Sequence, residues 1–242
     1  MHRSKSMGNN KGNWLMAQVS LKISPELATL WPQTAVGYLI YSPRVQRKNQ
    51  AMWEYLNNTV VPPLTKELET RPIADYPRLA AGREAYRAFG KDPGRHRTSA
   101  EALYRRLRQN KALYQINSVV DANNLVSIET AFPLGSYDTD RIGTHLELRL
   151  GQEEELYQAL GKGVVTLGGY PVLVDESGPF GCPTSDSMRA MISEGTTNAL
   201  TVVYSFSGAA PLEEALKMTR SHLFAYAGVR RFSQKIVAAT GG

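Results

Sequence analysis

Eight consecutive residues, Thr34–Tyr41 (TAVGYLIY), carry no charge and are rich in aromatic and β-branched side chains, so they read as a buried strand. A second run of this kind, Ala199–Phe206, stands far downstream. Shorter strands are expected at Gln18–Ile23, Val164–Leu167 and Pro171–Asp175. His145–Leu150 alternates strictly, placing Leu146, Leu148 and Leu150 on one face and His145, Glu147 and Arg149 on the other.

Helices fill the interval between the two long runs. Ser24-Pro25-Glu26 combines an N-cap with a first-turn proline and starts a short helix. Arg44–Leu56 reads as a helix with Met52, Trp53 and Leu56 inward. Pro62-Pro63 breaks that pattern, and a helix from Leu64 to Glu69 can follow. An arginine-studded helix spans Asp75–Ala88 and is ended by Gly90. Asp92-Pro93-Gly94 cannot lie within a helix, so Lys91–Arg97 is a loop. Thr98-Ser99-Ala100-Glu101 matches a capping box, opening a helix that buries Ala100, Leu103, Tyr104 and Leu107. Asn117–Thr130 is helical, with Asn123, Ser127 and Thr130 as a polar stripe. Pro211 opens a final helix running to Ala227, with acids in its first turn and bases later, as the helix dipole favours. Helices first and strands later predict one α+β domain over residues 14–242, behind a loose tail at residues 1–13.

No apolar run approaches the roughly 18 residues needed to span a bilayer. The basic, polar N-terminus has no hydrophobic stretch behind it, unlike a secretory signal. One cysteine, Cys182, forms no internal disulfide, which fits a soluble protein of the reducing cytoplasm. Charge is unevenly spread. Between Arg78 and Lys111 ten basic residues meet three acidic ones, giving +7 in a chain of net charge +6. Such a concentration is the footprint of a polyanion partner, or else a solvated arginine-rich face.

Familiar catalytic signatures are missing. There is no H-E-x-x-H, P-loop or G-x-S-x-G, and Gly161-Lys162-Gly163 precedes a strand rather than a helix. His2, His96, His145 and His222 are scattered, and neither a metal nor another cofactor is expected. Cys182 is a nucleophile only if a histidine approaches it, and otherwise a small buried hydrophobe. Asp186 and Ser187 either bind a ligand or cap the turn into Met188–Ile192.

Three blocks carry a resemblance. Gly90–Leu103 (GKDPGRHRTSAEAL) is similar to the "KDPxRyRxSaEAL" block of free-standing B3/B4 proteins. Asn117–Val126 (NSVVDANNLV) resembles the "N-x-VVD-x-x-N-x-V" helix of phenylalanyl-tRNA synthetase β subunits, and Pro133–Asp138 (PLGSYD) continues that block. Ser185-Asp186-Ser187 through Thr196-Thr197-Asn198 resembles the "SDSxRxxxxxxTxN" block before a late strand. The resemblance implies layered sheets with packed helices around an amino-acid-sized pocket. In the synthetase that pocket hydrolyses tyrosine wrongly esterified to its tRNA, with no catalytic metal or covalent nucleophile.

Carried over by residue, the resemblance implies ligand contacts from Asn123, Asn124, Gly135, Ser136, Tyr137, Asp186 and Ser187. Arg95 and Arg97 of the loop block are expected to contact RNA, or else to pair with Asp92 and Glu101 or hold the loop through its carbonyls; Arg105, Arg106 and Arg108, on the outward face of their helix in the basic stretch, are further expected RNA contacts. The synthetase pocket's histidine falls on Gly135 and its late-strand glutamate on Val202. The expected function is hydrolysis of a mischarged aminoacyl-tRNA in trans. The alternative is a non-enzymatic module binding tRNA or an amino-acid derivative, which the losses at Gly135 and Val202 favour.

Overall fold

The computed structural model describes residues 19–239; the expected tail at residues 1–13 and Gln18 lie outside them. Four antiparallel strands form the central sheet: β2 (Ala35–Tyr41), β3 (Leu134–Asp138), β9 (Ala199–Ser205) and β10 (Phe232–Ala238). Their order is β10-β2-β9-β3. Every residue of β2 and of β9 is buried. Both faces are covered, which is why these strands read as unbroken apolar runs rather than as alternating ones.

Among the described residues seven helices of mostly modest length surround the sheet: α1 (Pro25–Leu30), α2 (Gln50–Tyr55), α3 (Val61–Thr70), α4 (Pro77–Ala88), α5 (Ser99–Arg108), α6 (Ser118–Thr130) and α7 (Leu212–Tyr226). One face of the sheet carries Ala35, Leu39, Tyr41, Leu134 and Val203 into a core shared with α6 and α7. The other carries Val36, Tyr38, Ile40, Tyr137, Val202 and Tyr204 against a second sheet. That second sheet runs β1 (Ser20–Ile23), β4 (His145–Leu150), β7 (Pro171–Asp175) and β8 (Gly178–Gly181), with β1 and β4 parallel. The hairpin β5 (Leu156–Ala159) and β6 (Gly163–Thr166) turns through Gly161 and Gly163, both at positive φ. Helix α4 joins the two cores: Leu79 lies in the first, Ala85 and Tyr86 in the second.

The architecture is α+β, as the residues predict. Boundaries differ in places. The helix expected from Arg44 begins only at Gln50, because Asn49 caps it with a bond to the Met52 N–H at 3.0 Å. Arg44 and Gln46 instead bond to Ala227 and Ser118, which holds that stretch out of the helix. Pro62-Pro63 does not break the helical path. The path widens into a π turn at Leu56–Val60, and Pro62 then stands in the first turn of α3, where its missing N–H is not needed. The capping box is half formed: Thr98 accepts from the Glu101 N–H, but the Glu101 carboxylate turns to two arginines. Leu103 is only half-buried. Helix α7 is not the last element, since β10 follows it. Strands β3, β5 and β8 also go beyond the expected set. Among the described residues no helix is long and apolar enough to cross a membrane.

Candidate functional site

The Lys91–Arg97 loop is built around Asp92. Its side chain accepts from the Gly94 N–H at 2.8 Å, and its carbonyl from the N–H groups of Arg95 and His96. Arg97 donates to the Gly94 carbonyl, closing the loop on itself. This rigid turn presents Arg95 and His96 to a cleft of about 220 Å³. The β5–β6 hairpin supplies Tyr157 and Lys162 to the opposite wall, and Cys182, Thr184 and Ser185 line it as well.

Aromatic side chains fix the cleft. The Tyr170 hydroxyl hydrogen-bonds His96 Nδ1, and the two rings meet edge-on with centroids 5.5 Å apart. Lys91 Nζ lies 4.8 Å from the centre of the Tyr170 ring, within cation–π reach. Tyr86 shares a 2.7 Å hydrogen bond with Thr184, and the Tyr157 hydroxyl donates to the Ser185 carbonyl. Burial, and then Lys91, push the His96 imidazole below its ordinary pKa, so it is neutral at pH 7. Burial pushes the Cys182 thiol up to about 11. It is therefore protonated at neutral pH, and among the described residues no histidine is hydrogen-bonded to it. Cys182 is a buried wall residue and not an activated nucleophile.

Behind that wall sits Asp186. One carboxylate oxygen accepts from the Tyr137 hydroxyl at 2.7 Å and from the Cys182 N–H at 3.1 Å. The Tyr137 hydroxyl also meets the Tyr204 hydroxyl at 2.7 Å. Burial raises the Asp186 carboxyl to about 6. Ser187 accepts from the Arg189 N–H and caps the short 3-10 turn Met188–Ala190.

The residues implied as ligand contacts do not converge on one pocket. Register places Gly135 directly opposite Val202, on the face toward the second sheet with Tyr137. Ser136 points to the helical face. There Asn123 Nδ2 donates to its hydroxyl at 2.7 Å, and the hydroxyl also meets Thr201, which bonds Tyr41. Period-2 alternation thus puts Ser136 and Tyr137 on opposite sides of the central sheet. Asn124, half-buried on α6, is on the helical side.

The arginines divide as well. Arg95 is exposed and sits at the cleft with only a 3.8 Å contact to Asp92. Arg105 and Arg83 both pair with buried Glu101, at 2.8 and 2.7 Å. Arg106 donates to the Ala112 carbonyl and stacks over Tyr114. Arg108 is exposed and has no hydrogen-bond or ion-pair partner among the described residues. Sequence reasoning did not gather His96, Tyr157, Lys162 and Tyr170 into a site. His96 lies inside the loop block Gly90–Leu103. Tyr157, Lys162 and Tyr170 join it only through the hairpin's tertiary placement.

The family model of the B3/4 domain matches residues 81–235. The phenylalanine–tRNA ligase beta subunit of Bartonella henselae is 40% identical over 67 residues, 27% of this chain and 8% of that protein. The same subunit of Mycoplasma pneumoniae is 28% identical over 143 residues, 58% of this chain and 17% of that protein. The chain thus spans less than a fifth of either relative. Among solved structures, an N-terminal fragment of the phenylalanyl-tRNA synthetase beta subunit from Pyrococcus horikoshii aligns with a TM-score of 0.44 and 15% identity. The alignment covers 90% of this chain and 50% of that one. With its matched segment running from α4 to β10 and containing the whole of the cleft, this chain belongs to the B3/4 domain family.

Proposed function

We propose that the protein hydrolyses, in trans, an aminoacyl ester carried on a tRNA, and that the aminoacyl group enters the cleft between the Lys91–Arg97 loop and the β5–β6 hairpin. One observation carries this reading: an amino-acid-sized cavity of about 220 Å³ is lined by Arg95 and Lys162, with Lys91 against the Tyr170 ring of its wall. A small apolar and aromatic cavity suits a side chain, and cations at its mouth suit the phosphates of a 3′-terminal nucleotide. Relatives named as phenylalanine–tRNA ligase beta subunits support a tRNA-borne ligand. Ester hydrolysis asks for a positioned water and oriented donors, and no metal or covalent nucleophile is required. Such a substrate sets the place of action in the cytoplasm.

The test is deacylation of a panel of mischarged tRNAs by the purified protein, by Lys162→Glu and by Asn124→Ala. Hydrolysis of one ester, lost in Lys162→Glu and kept in Asn124→Ala, places the aminoacyl group in this cleft. Loss in Asn124→Ala alone moves it to the helical side of the central sheet. A panel left intact at high protein concentration rejects the hydrolase.

A second reading, a non-enzymatic module for tRNA or an amino-acid derivative, is favoured by the apolar Gly135–Val202 pair. An intact panel together with steeply salt-dependent tRNA binding would select it.

A further inference from the structure

We propose that His96 is the catalytic base of the cleft, taking the proton from the water that attacks the ester carbonyl. The proposal rests on the hydrolase reading above and adds the group that runs the chemistry. His96 is the only one of the three histidines within the described residues that lines this cleft. The others lie elsewhere: His145 is exposed on β4 beside Glu176, and His222 is held by Glu129 between α6 and α7.

Its position is fixed from two directions. The backbone N–H donates to the Asp92 carbonyl at 2.8 Å, and Nδ1 is hydrogen-bonded to the Tyr170 hydroxyl. The second ring nitrogen, Nε2, has no protein partner among the described residues. When Nδ1 carries the proton and donates it to Tyr170, Nε2 presents a lone pair. This is the arrangement of a base oriented by a third group. Neutrality at pH 7 completes it, because an imidazolium cannot accept a proton.

The step balances without a co-reactant. A water O–H bond breaks as the oxygen bonds the carbonyl carbon, and the proton passes to Nε2. Collapse of the tetrahedral centre breaks the bond to the ribose oxygen, which leaves with that proton as a hydroxyl. The products are the free amino acid and the uncharged tRNA terminus. Lys91, Asp92 and Arg95 from its own loop, Tyr170 beyond β6, and Tyr157, Lys162 and Cys182 around the cleft are the titratable groups facing His96. Burial first, then Lys91 and Arg95, oppose its protonation and Asp92 favours it, so burial and these charges together set where the pH limb falls.

The experiment is single-turnover deacylation against pH, using the panel ester that the unaltered protein hydrolyses. Wild type, His96→Gln and Tyr170→Phe are compared, with spontaneous hydrolysis subtracted and thermal unfolding recorded for each. Wild type is expected to gain rate with rising pH along an acidic limb and to level off near neutrality. His96→Gln should be slower by about 100-fold or more and lose the limb. Tyr170→Phe should move the limb, because Nδ1 loses its partner while the ring packing is kept. If wild type hydrolyses the ester and His96→Gln stays within about 3-fold with the same limb, His96 is not the base and the hydrolase reading stands. If His96→Gln does not fold, an unmoved limb in Tyr170→Phe overturns the proposal instead. If wild type hydrolyses nothing, both the proposal and the function beneath it fall.

Discussion

The ring of Tyr137 lies across Gly135, two residues earlier on the same face of β3. A Cβ on Gly135 would stand closer to the Tyr137 hydroxyl than the 3.0 Å below which real Cβ atoms essentially never come. A Cβ on Gly181, on the facing sheet, would come just as close to the same ring. Two glycines therefore make room for one phenol, which bonds Asp186 and Tyr204. The space that a side chain at 135 would occupy is filled by the protein's own tyrosine. The apolar Val202 directly opposite completes a packed interior there.

Gly135→Ala should therefore destabilise the fold by about 1–3 kcal/mol through overpacking, although its backbone needs no unusual φ. Tyr137→Leu removes the clashing ring end, and it should recover part of that loss when combined with Gly135→Ala. Urea titrations of the two single variants and the double variant check this. Additive losses would show that the two side chains do not compete for the same space.

Glu101 has two arginine partners and is almost wholly buried, with its side chain 2% exposed. Glu101→Ala leaves Arg83 and Arg105 facing each other without a counter-charge, and should cost about 3 kcal/mol, at the low end for a broken buried pair because both arginines are partly exposed. Arg108 stands apart, so Arg108→Ala should leave the melting temperature unchanged. If the basic stretch meets tRNA, that variant lowers the salt slope of binding by about 1. Thermal unfolding and filter binding at several salt concentrations separate the two effects. An unchanged slope in Arg108→Ala removes that residue from the RNA contacts.

Much of the fold was legible because burial leaves a period in the sequence. Unbroken apolar runs marked β2 and β9, and alternation marked β4 to the residue. Strand β3 escaped because Pro133-Leu134-Gly135-Ser136-Tyr137-Asp138 mixes glycine, serine and aspartate. Its polar side chains are satisfied by Asn123, Thr201 and Thr196, partners far away in the chain. Strand β10 escaped because its residues are mostly half-buried or exposed at a sheet edge. The candidate site was legible only in its loop. Asp92-Pro93-Gly94 announced a turn, but nothing local says that the β5–β6 hairpin folds back over His96. The motif that grouped Ser136 with Tyr137 likewise could not show that alternation would send them to opposite faces.

Cys182 is the chain's one cysteine, and burial holds its thiol at about 11. Alkylation requires the thiolate, so iodoacetamide at pH 8 should modify the native protein at least about 10-fold more slowly than the urea-unfolded chain. Mass spectrometry over a time course measures both rates. Equal rates would mean that the wall between the cleft and Asp186 opens freely in solution.

Asp186 makes stability depend on pH in an unusual direction. Burial lifts its carboxyl from the ordinary 3.8 to about 6, so the folded protein binds that proton more tightly than the unfolded chain does. A raised folded value means that this contribution is fully present below pH 3.8 and is lost as pH rises through about 6. Above that, the buried charge is carried at a cost of about 3 kcal/mol as an upper bound. Asn keeps an oxygen to accept from Tyr137 and from the Cys182 N–H, but has no charge to desolvate. Asp186→Asn should thus be more stable than wild type at pH 7.5, and the advantage should shrink toward pH 4. Urea denaturation at the two pH values measures it. A variant that is less stable at pH 7.5 would mean that the ionised carboxylate is held by a stronger contact than the two hydrogen bonds seen here, with Lys162, whose charge favours the ionised form, as its source.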